Sequence, residues 1–291
     1  MLGQDDVARA RFECALTLNP QHLPAAMWLG DLHYRAGRLS EAIAVYEAAR
    51  QRAPEDRQLL QKLDEWRKEY DLQRRFLDVR SDHFRAFFET ASDEPLAREV
   101  VERLEAAYWR VGGTLGVYAS GPIAVVLYTR EQFNNVTKLA AWSVAAYDGQ
   151  IRVPLGALQQ PDEFDRVLSH EFVHAVIAKV GGRTVPAWLN EGLASVLEPA
   201  GSEEVEAMLA GAAAPTALTK LHRSFVDMPK RDAEIAYASS ARAVRRLIEQ
   251  HGAPALVALL QDLARGEPFE KAFQRRTAMR YEEFASLVEQ H

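Results

Sequence analysis

The feature that most constrains this chain is the stretch Val167–Glu198, VLSHEFVHAVIAKVGGRTVPAWLNEGLASVLE. Its flanks are apolar (Val167, Leu168, Phe172, Val173, Val176, Ile177), so His170 and His174 lie on or beside a mostly buried helix. Positions i and i+4 of a helix stand one above the other on the same face. The two imidazoles can therefore grip one metal ion, at about 2.0–2.1 Å each if it is zinc. Glu171 stands beside them, in reach of a water on that ion. Glu191, sixteen intervening residues beyond His174 and inside W-L-N-E-G, is the candidate third ligand, on what reads as the next helix. The bland alternative is two unrelated histidines on a solvated face. Two histidines and a glutamate on a buried helix instead want a charge partner, which a divalent ion supplies.

The rest of the composition removes other classes. With 291 residues the chain has room for one large domain or two modest ones. Its formal net charge of −6, with no dense Lys/Arg stripe, argues against nucleic acid as a partner. No run of about eighteen apolar residues exists, so no membrane span is expected. The first twenty residues lack an apolar core and are not a secretory signal. Cys14 is the only cysteine, which excludes an intrachain disulfide and a thiolate-rich metal site. The compartment stays open, with a soluble periplasmic or extracytoplasmic setting preferred to the cytoplasm.

An internal repeat organises the N-terminus. Ala42, Tyr46, Ala49 and Pro54 each have a counterpart 34 residues earlier, at Ala8, Phe12, Ala15 and Pro20. The pattern resembles the tetratricopeptide repeat, with one full unit at about Leu23–Pro54 and only the second helix of another before it. Gly30, Ala42 and Ala49 let two helices approach, with Leu29 and Tyr46 filling the seam. A chain that begins halfway through a repeat is expected to be longer at its natural N-terminus. Glu55 to about Asp78 reads as a connector helix, with Leu59, Leu60, Leu63, Trp66 and Tyr70 on one apolar face. The segment reads equally as a docking surface for a protein partner and as a spacer.

Between connector and metal helix, His83–Glu89 alternates and reads as a strand. Asp93–Val111 reads as a helix ended by Gly112-Gly113, and Pro122–Tyr128 as a buried strand. Gln132–Leu139 reads as a turn and short helix. Asp148-Gly149 marks a hairpin between two arms of Trp142–Leu155. Either arm, Trp142–Tyr147 or Ile151–Val153, is a candidate substrate-binding strand or a plain core hairpin. Gln160–Asp165 caps the metal helix. Beyond Glu198, the segment Gly201–Ala217 reads as a helix and loose loop, Leu218–Phe225 as a short helix and Met228–Glu234 as a turn. Further helices are expected at Ser239–His251, Ala253–Ala264, Phe269–Arg275 and Tyr281–Glu289. Glu198 is placed two turns along the helix face of Glu191, where it either accepts a proton from a ligating histidine or is simply solvated.

H-E-F-V-H followed by Glu191 in P-A-W-L-N-E-G-L-A resembles the gluzincins, whose third zinc ligand is a glutamate. The blocks HFRAFFE, VVLYT, YDGQIRVP, LSHEFVHAV, VPAWLNEGLA and AYASSARAV, from about Phe84 to Phe284, resemble the bacterial peptidase MA-like proteins, which often follow tetratricopeptide repeats. The resemblance implies one zinc per chain on His170, His174 and Glu191, with Glu171 as general base toward a peptide or protein substrate. It also implies a tyrosine that stabilises the oxyanion: Tyr237, for which a core tyrosine is the rival reading, with His222 as the weaker candidate. Asn190 would position substrate backbone. Arg242, Arg245 and Arg246 read as a solvated helix face rather than a carboxylate site. The fold expected is α+β: an all-α repeat segment over 1–78, then a zincin-like domain over 79–291, with a sheet-containing lobe (79–185) and a helical lobe (186–291) enclosing a cleft.

Zinc aminopeptidases with W-L-N-E-G carry an upstream glutamate that anchors the free amine. The corresponding WSVAAYDGQ has none, so an endopeptidase is expected. An aminopeptidase, or a non-catalytic zinc-containing adaptor that binds partners through its repeats, is the alternative.

Overall fold

The fold is taken from a computed structural model, which describes residues 4–137, 145–156, 161–182, 184–199, 216–225 and 228–289. Backbone contacts divide the chain into two compact units, Met1–Glu102 with Ser120–Ala157, and Arg103–Ala119 with Leu158–His291. This division differs from a boundary at 78/79, because the repeat helices share a unit with the sheet.

In the first unit, α1 (Gln4–Leu18), α2 (Leu23–Arg35), α3 (Leu39–Arg50) and α4 (Arg57–Gln73) form the repeat segment. His22 caps α2 by accepting from the Ala25 N–H, and Asp56 caps α4 by accepting from the Leu59 N–H. Ala26, Leu39, Ala42, Tyr46, Ala49, Leu59, Leu63 and Trp66 form their core. A Cβ on Gly30 would stand 2.3 Å from the Tyr46 ring, so only glycine admits this helix contact.

The connector helix is shorter than its periodicity predicts. It ends at Gln73, and Leu77–Arg80 becomes strand β1, antiparallel to β2 (Phe84–Phe88). Tyr70, expected on the apolar face, is 40% exposed, while Glu69 beside it is buried. The sheet is mixed, in the order β1-β2-β3-β5-β4, with β3 at Ile123–Tyr128, β4 at Ala146–Tyr147 and β5 at Ile151–Pro154. Parallel pairs β2–β3 and β3–β5 need crossovers, which run through α5 (Glu94–Leu115) and α6 (Arg130–Thr137). The expected hairpin at Asp148-Gly149 joins β4 to β5 with Tyr147 opposite Ile151, and β4 is one of the sheet's two edges, β1 being the other. Residues 142–144 of its first arm, like the last residues of Gln132–Leu139 and Gln160 ahead of the metal helix, lie outside the described residues.

Helix α5 does not stop at Gly112-Gly113 as expected. It runs to Leu115 and ends at Gly116, whose φ is +68°. The Tyr118 ring accounts for Gly112, since a Cβ there would stand 2.2 Å from it. In the second unit this part of α5 accompanies α7 (Pro161–Gly181), α8 (Ala187–Val196), α9 (Lys230–Ala264), α10 (Phe269–Thr277) and α11 (Tyr281–Glu289). Helix α9 begins at Lys230, where a turn was expected, and breaks at Gly252 (φ 75°, ψ 158°), where a helix end was expected. Leu218–Phe225 contains only a 3-10 turn at Leu218–Lys220. Gly201–Pro215 lies outside the described residues. Among the described residues no helix is long and apolar enough to cross a membrane.

Candidate metal centre

Helix α7 buries Phe164, Leu168, Phe172, Val173, Val176 and Ile177, which leaves His170, Glu171 and His174 toward α8 and α9. Helix α8 enters after Pro186, and its first N–H groups find acceptors outside the helix: Ala187 and Trp188 donate to the carbonyls of His222 and Leu221. Glu191 comes one turn later. Its neighbour Gly192 packs against the α9 backbone, where a Cβ would stand 2.4 Å from the Ser240 carbonyl oxygen. That approach brings Tyr237 of α9 to the site, its ring centroid 6.3 Å from that of His170.

Glu191 Oε2 lies 3.3 Å from His170 Nε2 and 3.4 Å from His174 Nε2. The outer nitrogens are also engaged. His170 Nδ1 is 2.6 Å from Glu198 Oε1, and His174 Nδ1 is 3.1 Å from Asn190 Oδ1. Both partners are acceptors, so each Nδ1 carries its ring's proton, and in the neutral rings both Nε2 atoms present lone pairs. Three lone-pair atoms thus converge, and Glu191 Oε2 is buried without a hydrogen-bond partner among the described residues. Bare donors so arranged repel unless a cation sits among them. Two donors each about 2.1 Å from a tetrahedral zinc stand about 3.3–3.4 Å apart, so the set fits that ion. Its chemistry, two imidazoles and one carboxylate, leaves a fourth position open.

The electrostatics agree in sign. Burial works against a charged His170, yet Glu191 and Glu198 outweigh it and push its pKa up to about 10. His174 rises too, burial again being outweighed by Glu191. For Glu191 burial is overcome by the two histidines, which hold its carboxyl well below the usual range. The cluster demands positive charge. Glu171 goes the other way: burial pushes its pKa up, and the histidines only partly offset this. Burial, with Glu191 and Glu171 nearby, also raises the Tyr237 phenol.

Other expected residues fall differently. Glu198 lies just beyond the α8 C-cap, Leu197, not on the helix face, and reaches His170 from there. Asn190 faces His174. His222 sits in an aromatic cluster, its Nε2 3.1 Å from the Tyr281 hydroxyl and its ring edge-on to Phe269. Arg242, Arg245 and Arg246 are partly buried rather than fully solvated, and Arg246 donates to the Leu287 carbonyl. Sequence reading missed Arg166, which contacts Glu198 at 3.2 Å, and Arg110, which donates to Ser169 Oγ and the Leu197 carbonyl. Spacing i, i+4 from His170 was the only available signal for Arg166, and Arg110 had none.

The tetratricopeptide repeat pattern matches residues 2–57. No curated protein matches the chain. The pattern of the Peptidase MA superfamily matches residues 110–282, more than half of the chain and all of the metal-centre residues described above. It begins after β1 and β2, so the HFRAFFE block lies outside it. With the repeats ahead of it and the H-E-x-x-H helix inside the matched span, the chain belongs to the peptidase MA superfamily.

Proposed function

We propose that this chain is a zinc-dependent peptidase that cuts inside polypeptides. The observation that supports this most directly is the convergence of His170 Nε2, His174 Nε2 and Glu191 Oε2 within 4.8 Å of one another, with both nitrogens 3.3–3.4 Å from the carboxylate oxygen. These three would hold the ion. Zinc in such a set acidifies a water and polarises a carbonyl. Glu171 handles the proton: a buried carboxylate with a raised pKa accepts it from the attacking water and delivers it to the leaving amine. A purely structural zinc site has no use for this group. Tyr237, its phenol kept protonated by burial, is the donor for the oxyanion. Glu198 and Asn190 keep both rings in the tautomer that presents Nε2.

Endopeptidase action rests on the missing amine anchor: the segment Trp142–Gln150 holds no glutamate. The experiment is paired. Zinc per chain is measured, and wild type and Glu171→Gln are compared on a mixed peptide library. We expect one zinc per chain in both, internal cleavage by wild type, and a loss of about 10²–10⁴-fold in the variant. Bound zinc without cleavage by wild type across pH would favour the adaptor, and products trimmed only from the amino end would favour an aminopeptidase.

A further inference from the structure

Among the described residues, Glu198 is the one acidic contact to a site histidine that comes from outside the two site helices. It sits immediately past the end of α8, on backbone that no helix holds. Its carboxylate is 7% exposed, so its orientation depends on what grips this short segment. Two arginines do. Arg166, one turn before His170 on α7, places Nη1 3.2 Å from Glu198 Oε2. The other oxygen, Oε1, is left for His170 Nδ1 at 2.6 Å. Arg110, on α5, donates through Nη1 to the Leu197 carbonyl and through Nη2 to Ser169 Oγ at 2.8 Å. Leu197 is the C-cap of α8, where unpaired carbonyls concentrate partial negative charge and favour a cation. Ser169 is buried and precedes His170 directly, so Arg110 ties the segment bearing Glu198 to the turn bearing the ligand.

We propose that Arg166 and Arg110 are positioning residues of the metal centre, which act through Glu198 to fix the His170 ring for metal binding. The inference rests on the zinc reading above and adds to it where the affinity is set. Arg166 splits the work of the two carboxylate oxygens. With it, one oxygen is committed to the guanidinium and the other to the imidazole. Without it, the carboxylate is free to rotate or hydrate, and the Nδ1 contact loosens. Arg110 fixes the backbone from which Glu198 projects. The proposal does not require either arginine to touch metal or substrate.

The test uses the full chain and zinc alone, with affinity read by chelator competition. Variants are Arg166→Met, Arg110→Met, Glu198→Gln, and the double variants of each arginine with Glu198→Gln. Glu198→Gln should weaken zinc by about 10–100-fold, the usual effect of losing a group that orients a ligand. Each arginine variant should weaken it by a several-fold factor. In the Glu198→Gln background, the additional effect of removing Arg166 should vanish, because its route to His170 is already cut, and that of removing Arg110 should shrink to what its bond to Ser169 carries. The visible spectrum of the cobalt-loaded protein should change in Arg166→Met, and Arg166→Lys, which keeps the positive charge toward Glu198, should restore part of the affinity. Arginine effects that persist in full without Glu198, or arginine variants that bind zinc as wild type does, would overturn the inference and leave the zinc reading intact. A wild type that takes up no divalent ion would overturn both.

Discussion

Glu171 and Glu191 are both carboxylates of the candidate metal centre, and their surroundings drive them apart. Burial raises Glu171, whereas for Glu191 burial is outweighed by His174 and His170. Under the proposed mechanism this separation suits two roles, Glu171 as proton carrier and Glu191 as permanent anion. Tyr237 completes the set from α9. Its ring stands edge-on to Phe225 at 5.2 Å and 6.3 Å from the His170 ring. Tyr237→Phe keeps this packing and removes only the hydroxyl. Under the proposed mechanism kcat should fall by about 10²–10³-fold, the cost of losing one oxyanion donor. KM and zinc content should change little. A variant with unchanged kcat would return Tyr237 to the core tyrosine that its sequence context equally allowed.

At the scale of elements, α8 and α9 meet where Gly192 leaves no space for a side chain. A Cβ would collide with Ser240 backbone, with its oxygen at 2.4 Å and its carbon at 2.7 Å, and backbone cannot rotate away. Gly192→Ala should therefore destabilise the protein by about 1–3 kcal/mol, the usual range for overpacking. It should also displace Tyr237, so activity should drop beyond what thermal melting accounts for. This glycine shows what was legible in sequence and what was not. That His170, His174 and Glu191 come together was readable because i, i+4 spacing and the adjoining W-L-N-E-G are local signals. Strands at Phe84–Phe88 and Ile123–Tyr128 announced themselves by alternation and by a β-branched run. Gly112 misled, because a glycine that ends a helix and one that admits a ring look alike in sequence. Glu198 was found for the wrong reason: helical spacing suggested the face of Glu191, but the chain has left the helix there. Arg110 was invisible, being 87 residues from the carbonyl it binds.

At the scale of whole modules, the repeat helices and the sheet fall in one compact unit. Repeat segment and sheet read as separate pieces, yet within the first unit they share a buried polar network. Arg152 of β5 is fully buried and donates to Glu69 of α4 at 2.6 Å, to Tyr34 of α2 at 2.6 Å and to Tyr128 of β3 at 2.9 Å. Asp148 of the hairpin pairs with its Nε at 3.0 Å, and Glu69 also accepts from Tyr34 and Gln73. Gly149 lies so close to α2 that a Cβ would stand 2.5 Å from the Arg35 backbone. The α2 surface around Tyr34 and Arg35 is therefore used inside the chain, and a partner protein would have to dock elsewhere on the repeats. A buried ion pair adds little over apolar packing, but breaking one by removing a single partner costs about 3–5 kcal/mol. Arg152→Met leaves the Glu69 charge buried without its cation, held only by neutral donors. It should destabilise the unit by that amount and lower amide-exchange protection in α2 and α4 as well as in β5. Adding Glu69→Leu removes the stranded charge and should recover most of the loss. Protection that falls in β5 alone would mean that the repeats fold as a module of their own, although one full unit is too short an array to be expected to stand alone.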